Sequence, residues 1–342
     1  MDSVFFAYDF GYWRQVAWNQ RISNPTDLMD REAIQVLLRY CGTEGNGAFH
    51  APKSDYEVFA ALCCARPLLS GHPLIKRYEY LLKVCFGMDL SLSKELCDEI
   101  WQSISEMCAE TPLTRLECVL RLNEARPIRC LLSPYETLSE LPDACIPVLA
   151  ANEWCGTKRK TWEDWKQEMN TAFDVFAARG CHSAYLVLPR EYQNHNPNRY
   201  SVERALNGDE ENGNVLLAQT LRMLCEACTE REWTLLLRFE CAESDARRLL
   251  ENAERTVGLP TIVWTTGEPR VRDSLLSFSA QSKARNLLCG IALSDYPSDV
   301  ELEYAIASYA ARYPYGRLAV FSNCDLLMLS YEQKRFLRLS IH

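Results

Sequence analysis

Eight short runs of β-branched, aliphatic or aromatic residues, most of them separated by one longer amphipathic pattern, constrain this chain more than any other feature. The runs are Val4–Tyr8, Ile128–Leu132, Ile146–Ala150, Ala184–Leu188, Thr234–Phe239, Thr261–Thr265, Asn286–Ala292 and Arg317–Phe321. Between them, apolar residues at spacings of three and four, as in Phe173, Phe176 and Ala177, predict helices over 162–178, 215–231, 244–256, 271–284 and 299–312. A strand can return parallel to its neighbour only through a crossover, so this alternation predicts an α/β fold with parallel strands. Eight such units close most economically as a (β/α)8 TIM barrel, with a doubly wound open sheet as the alternative. Residues 26–125 break the rhythm with helical stretches over 27–40, 55–65, 73–86, 93–109 and 114–123. They read as a helical insertion between strands 1 and 2. No Pro/Gly/Ser-rich spacer sets them apart, so the sequence predicts a single domain over 1–342 with 26–125 packed on the barrel.

Composition narrows the function classes. Of 342 residues, 48% are apolar and 24% charged, a mix that excludes disorder and collagen-like architecture. No run approaches the ~20 apolar residues of a membrane span, and the first residues lack the basic and apolar regions of a signal peptide. The sequence therefore predicts a soluble, cytoplasmic protein with no membrane partner. Thirty-seven basic against 46 acidic residues leave a net charge of −9 with no basic stripe, which argues against nucleic acid. A homo-oligomer is compatible with this reading. Sixteen cysteines are many, yet Cys85, Cys130, Cys145 and Cys289 sit in apolar patterns where a thiol packs as a small hydrophobe. The Cys225-x-x-Cys228 pair lies within a helical pattern and has only Cys241 near it, so free thiols are expected rather than a zinc site.

Short motifs in a shared order carry a resemblance. His72-Pro73-Leu74, the stretch from Tyr78 to Leu82, Phe86-Gly87-Met88 and Glu99-Ile100-Trp101 resemble the helical segment of uronate isomerases. Further along, Phe176-x-x-x-Gly180-Cys181 resembles the approach to that family's fourth strand. Thr261-Ile262-Val263-Trp264 with Pro269 resembles its sixth strand, and Ser322-Asn323-Cys324-Asp325 with Ser330-Tyr331 its eighth. The likeness runs over residues 54–338. It implies an amidohydrolase-type barrel that interconverts aldose and ketose sugar acids such as glucuronate, galacturonate and fructuronate. It also implies a divalent metal at the C-terminal strand ends, held by an H-x-H after strand 1 and an aspartate after strand 8.

The chain departs from that pattern at the chemistry. Its five histidines are His50, His72, His182, His195 and His342, so none lies on strand 1, which ends in Tyr8 and Asp9. The strand-5 histidine position falls within Leu237-Arg238-Phe239-Glu240. Ala151-Asn152-Glu153-Trp154 replaces the family's arginine-containing strand-3 segment, Asn323 the metal-binding aspartate, and Asp325 an arginine. No metal and no cofactor are expected. The candidate catalytic groups are Asp9, Arg238, Glu240 and Asp325, with Tyr8, Glu153, Trp154, Arg190, His195, Arg270 and Asn323 as ligand-binding candidates at the strand ends. Arginine suits a carboxylate through paired hydrogen bonds, so the expected partner is a sugar acid or another small anion. Two alternatives stand beside binding without catalysis. One is a metal-independent carbohydrate isomerase or hydrolase using carboxylate acid/base chemistry, and the other a non-catalytic interaction scaffold.

Overall fold

A computed structural model describes residues 7–9, 21–28, 34, 38, 54–70, 73–114, 117–118, 128–141, 143, 145–156, 161–208, 213–281, 287–292, 300–301, 304–305, 307 and 319–321. In chain order, β1 (Ala7–Asp9) is followed by α1 (Asp55–Ala65), α2 (Pro73–Phe86) and α3 (Cys97–Glu110). Then come β2 (Ile128–Leu132), β3 (Cys145–Ala150), α4 (Asn152–Gly156), α5 (Trp162–Ala178), β4 (Ser183–Leu188), α6 (Arg199–Leu206) and α7 (Gly213–Glu230). The order ends with β5 (Thr234–Phe239), α8 (Glu243–Thr256), β6 (Thr261–Thr265), α9 (Pro269–Gln281), β7 (Leu287–Ala292) and β8 (Ala319–Phe321). The chain divides into two compact units. One holds residues 1–12, 127–296 and 301–323, the other 13–126, 297–300 and 324–342.

The first unit is built on the eight strands. They pair side by side in sequence order, β1 to β8, and every pairing is parallel. Two rows of side chains alternate along each strand, as the pleat requires. One row, including Leu132, Leu149, Leu186, Leu237 and Trp264, is fully buried. On the other row Val148, Leu236 and Val263 form a buried cluster joined by Leu131, Tyr185 and Leu288. Register sets this layer: Leu131 pairs with Val148, and Tyr185, Leu236, Val263 and Leu288 lie level across four strands. Both rows are apolar at mid-strand, as strands covered on both faces must be.

The β3–β4 ladder is short, pairing only Leu149 with Ala184 and Ala150 with Tyr185. A side chain extends it. Ala151 N–H donates to Tyr185 O at 2.9 Å, and the Asn152 carboxamide then takes both Val187 backbone groups. Its Nδ2 donates to Val187 O at 2.7 Å, and its Oδ1 accepts from Val187 N–H at 2.8 Å. The carboxamide stands in for a peptide unit of the strand, satisfying two groups that would otherwise lack partners.

The helical unit starts from local signals. Ser54 caps α1 in a reciprocal box, accepting from Glu57 N–H while Ser54 N–H donates to the Glu57 carboxylate at 2.8 Å. Helix α3 begins at Cys97 rather than Ser93, because 94–96 form a turn in which Leu96 N–H donates to Ser93 Oγ. Thr114 stands ahead of the helical residues 117–118 in a reciprocal box, its N–H donating to the Glu117 carboxylate at 2.7 Å and its Oγ1 accepting from Glu117 N–H at 3.2 Å. With Leu113 it pairs antiparallel to Arg21–Ile22, a ribbon too short to leave a periodic signal. The stretch expected as helix from Asp27 opens as a tight 3-10 turn over Pro25–Leu28. Tyr78, fully buried on α2, donates its hydroxyl to Pro25 O at 2.7 Å.

Candidate functional site

Strand ends in a parallel sheet carry the loops that form binding sites, and the loops after β4, β5 and β6 line a common cleft. Arg238 stands two residues beyond Leu236 on the same row, level with Val187 and Thr265, where the apolar layer gives way to polar groups. Its side chain is 16% exposed, and Nε donates to Glu240 Oε1 at 3.0 Å. Glu240 is held in turn by its backbone, whose N–H donates to Leu188 O at 2.9 Å. An open cleft of ≈ 610 Å³ lies here, lined by Arg190 after β4, Glu240 and Cys241 after β5, Glu243 and Ser244 in the first turn of α8, and Glu268 and Arg270 around the start of α9. Arg190 and Glu268 approach to 4.0 Å with both side chains largely exposed, a pair worth at most ~1 kcal/mol. Glu268 N–H donates to Thr266 Oγ1 at 3.1 Å, and Arg272 N–H to Glu268 O at 3.0 Å, which fixes the entry into α9.

The cleft therefore mixes two guanidinium groups with three carboxylates. Arginine offers paired donors to a ligand carboxylate, and carboxylates accept from ligand hydroxyls. Burial pushes the Cys241 thiol up to about 12, so at neutral pH it is a protonated thiol and a poor nucleophile.

The structure brings three of the expected residues, Arg190, Glu240 and Arg270, to this cleft, with Arg238 bonded to its wall. Glu153 stands elsewhere, on α4, where it accepts from the Ser133 hydroxyl beyond β2. Trp154 is fully buried on the same helix and does not line the cleft. Its place beside Asn152 turns the indole inward, a direction that a strand-end position alone does not reveal. His195 is half-buried, with Nδ1 2.9 Å from Gln193 O, in a loop pinned by Asn194 N–H donating to Asp245 Oδ1 at 2.9 Å. Tyr8 and Asp9 are placed by backbone register alone, level with Cys130 and Leu131. Asn323 and Asp325 lie outside the described residues. Cys241, Glu243 and Ser244 were missed, although reading four residues past Glu240 into the next helix would have included all three.

Comparison with solved structures decides the fold. Uronate isomerase from Thermotoga maritima matches over 98% of this chain and 86% of its own, with a TM-score of 0.76 at 15% identity. Glucuronate isomerase from Caulobacter crescentus matches over 98% of this chain and 83% of its own, with a TM-score of 0.69 at 12% identity. The fold is that of the uronate isomerases. No protein-family model matches the sequence, and no curated protein matches it either.

Among the described residues of the uronate isomerase fold, the histidines that could serve the metal implied by the sequence motifs are not gathered at the strand ends. The β1 end is Ala7-Tyr8-Asp9, without an imidazole. His182 precedes β4, at the opposite end from the loops of the cleft, and His195 is engaged with a carbonyl. Among the described residues no group of three or more His, Cys, Asp or Glu side chains is placed to hold a metal ion. Likewise, no described helix is long and apolar enough to cross a membrane.

Proposed function

We propose that this chain is a sugar-acid-binding relative of the aldose–ketose isomerases, and that it takes a small polyhydroxy carboxylate in the cleft beyond β4, β5 and β6. The observation that carries this reading is the convergence of Arg190, Glu240, Glu268 and Arg270 from three successive loops onto one cleft. Arg270 opens α9 with its side chain exposed, where the positive end of the helix adds to its charge. The carboxylate of the ligand pairs with Arg270 and Arg190, and its hydroxyls donate to Glu240 and Glu268. Titration calorimetry with glucuronate and galacturonate tests the reading. Saturable binding that weakens about tenfold in Arg270→Ala supports it. Binding that ignores Arg270→Ala and Arg190→Ala, or no binding to either sugar acid, overturns it.

Catalysis without a metal is the second reading, favoured by two carboxylates, Glu240 and Glu268, in the same cleft. Aldose–ketose isomerisation moves a proton between adjacent carbons while charge develops on the sugar oxygen. Arg238 stands on β5 itself, but Glu240 already draws on its charge at 3.0 Å. Ligand binding without turnover is therefore the expected outcome.

A further inference from the structure

The helices that follow the strands of the first unit leave a gap. From β3 to β7 every crossover carries at least one helix: α4 and α5, α6 and α7, α8, and α9. The connection from β2 to β3, residues 133–144, is too short to hold a helix of α5's 17 residues with its turns, and its described part contains only the 3-10 turn Leu138–Glu140. A groove of ≈ 640 Å³ lies between this connection and α5. Tyr135, Leu138, Val175 and Phe176 supply its apolar surface, and Tyr135 and Val175 are 46% and 48% exposed. Exposed side chains of this size, gathered in one groove, mark a contact surface more often than a random scatter does. Glu136, Asp164 and Glu168 also line the groove, and among the described residues lining it there is no lysine, arginine or histidine.

We propose that this groove docks an amphipathic helix of a partner protein, apolar on one face and flanked by lysines or arginines, which takes the place of the missing outer helix. Apolar residues at helical spacing would enter between Tyr135 and Val175, as in other helix-in-groove contacts. Basic flanks would meet the three carboxylates, and that complementarity selects the partner. A second copy of this chain fits less well, since it brings a net charge of −9 to an acidic rim.

The test uses the full chain and a fluorescent 17-residue helical probe with leucines on one face and lysines beside them, matched in length to α5. Its twin carries glutamate in place of lysine. The lysine probe is expected to bind, with affinity falling at higher salt. Val175→Glu should weaken it about tenfold, and Asp164→Lys with Glu168→Lys should reverse the preference toward the glutamate twin. Circular dichroism and the thermal midpoint confirm that each variant folds, and the charge reversal reads out recognition even if Val175→Glu misfolds. Equal binding of the two probes overturns the proposal, as does indifference to all three substitutions or no binding of the lysine probe. A concentration-dependent dimer that Val175→Glu abolishes also overturns it, in favour of a second copy.

Discussion

At the scale of single residues, the thiols behave as core atoms. Every described cysteine is a free thiol, and all except Cys64 and Cys155 are buried. Burial pushes Cys225 and Cys241 up to about 12 and Cys181 to about 11, against an ordinary value near 9. The folded chain thus keeps protons that the unfolded chain releases above pH 9, so stability is complete below that pH and declines as pH rises toward the folded values. The loss should be about 1 kcal/mol per buried thiol between pH 9 and pH 10, read as a falling urea midpoint. An unchanged midpoint would show that these thiols ionise as readily in the folded protein. Thiol titration of the native protein should label Cys64 fast among the described cysteines, and denaturation without reductant should release nearly all sixteen. A count near zero would mean a disulfide-bonded protein. Asn152 gives a second residue-scale prediction. Asn152→Ala strands the N–H and C=O of Val187 and should cost about 2 kcal/mol by urea denaturation. Its role was not legible in sequence, because nothing local distinguishes an asparagine in a loop from one that completes a neighbouring strand.

At the scale of elements, the sequence reading succeeded where punctuation is local. Helices α1, α2 and α5 and strands β2, β5 and β6 have the expected limits. Two of the motifs that carry the family likeness turn out to be helix stops. Gly180 has φ +77° and follows α5; its N–H donates to Ala177 O at 2.9 Å, and Cys181 N–H to Phe176 O at 3.1 Å. That is a Schellman closure, and Phe176-x-x-x-Gly180-Cys181 is the turn that aims the chain into β4. Gly87 ends α2 at φ +71°, with its N–H on Lys83 O at 2.9 Å. Gly180→Ala should lower stability by about 1 kcal/mol, although its Cβ would meet no neighbour, because the cost is backbone strain alone. Equal stability in a denaturant series would refute that account. Such motifs report architecture, so they persist in a chain whose strand-end chemistry differs. The short helices α4 and α6 were missed, since five and eight residues give too little periodicity to read.

At the scale of the whole molecule, the order of eight parallel strands was legible, while the identity of the working cleft was not. Spacing placed Arg190, Glu240 and Arg270 at strand ends, but only the bends of three loops decide that these meet and that Trp154 and His195 do not. Purified protein is expected to show no turnover of glucuronate or galacturonate in a coupled assay, with or without added zinc or manganese. Among the described residues no cluster of the imidazole and carboxylate donors that such ions favour is gathered. Turnover abolished by Arg238→Ala would instead establish a metal-independent isomerase. Elemental analysis should find no stoichiometric zinc or manganese, and one equivalent lost on Asn323→Ala would reverse that expectation. The pairing of Ala7 with Arg129 has a consequence for birth on the ribosome. Strands β2 to β7 meet partners that emerge soon after them, so most of the sheet can assemble as it is made. β1 emerges before the other seven strands, yet its partner follows only after residues 13–126 have been translated. Through that interval a strand edge waits uncovered, and a chaperone that shields nascent chains would find its longest task there.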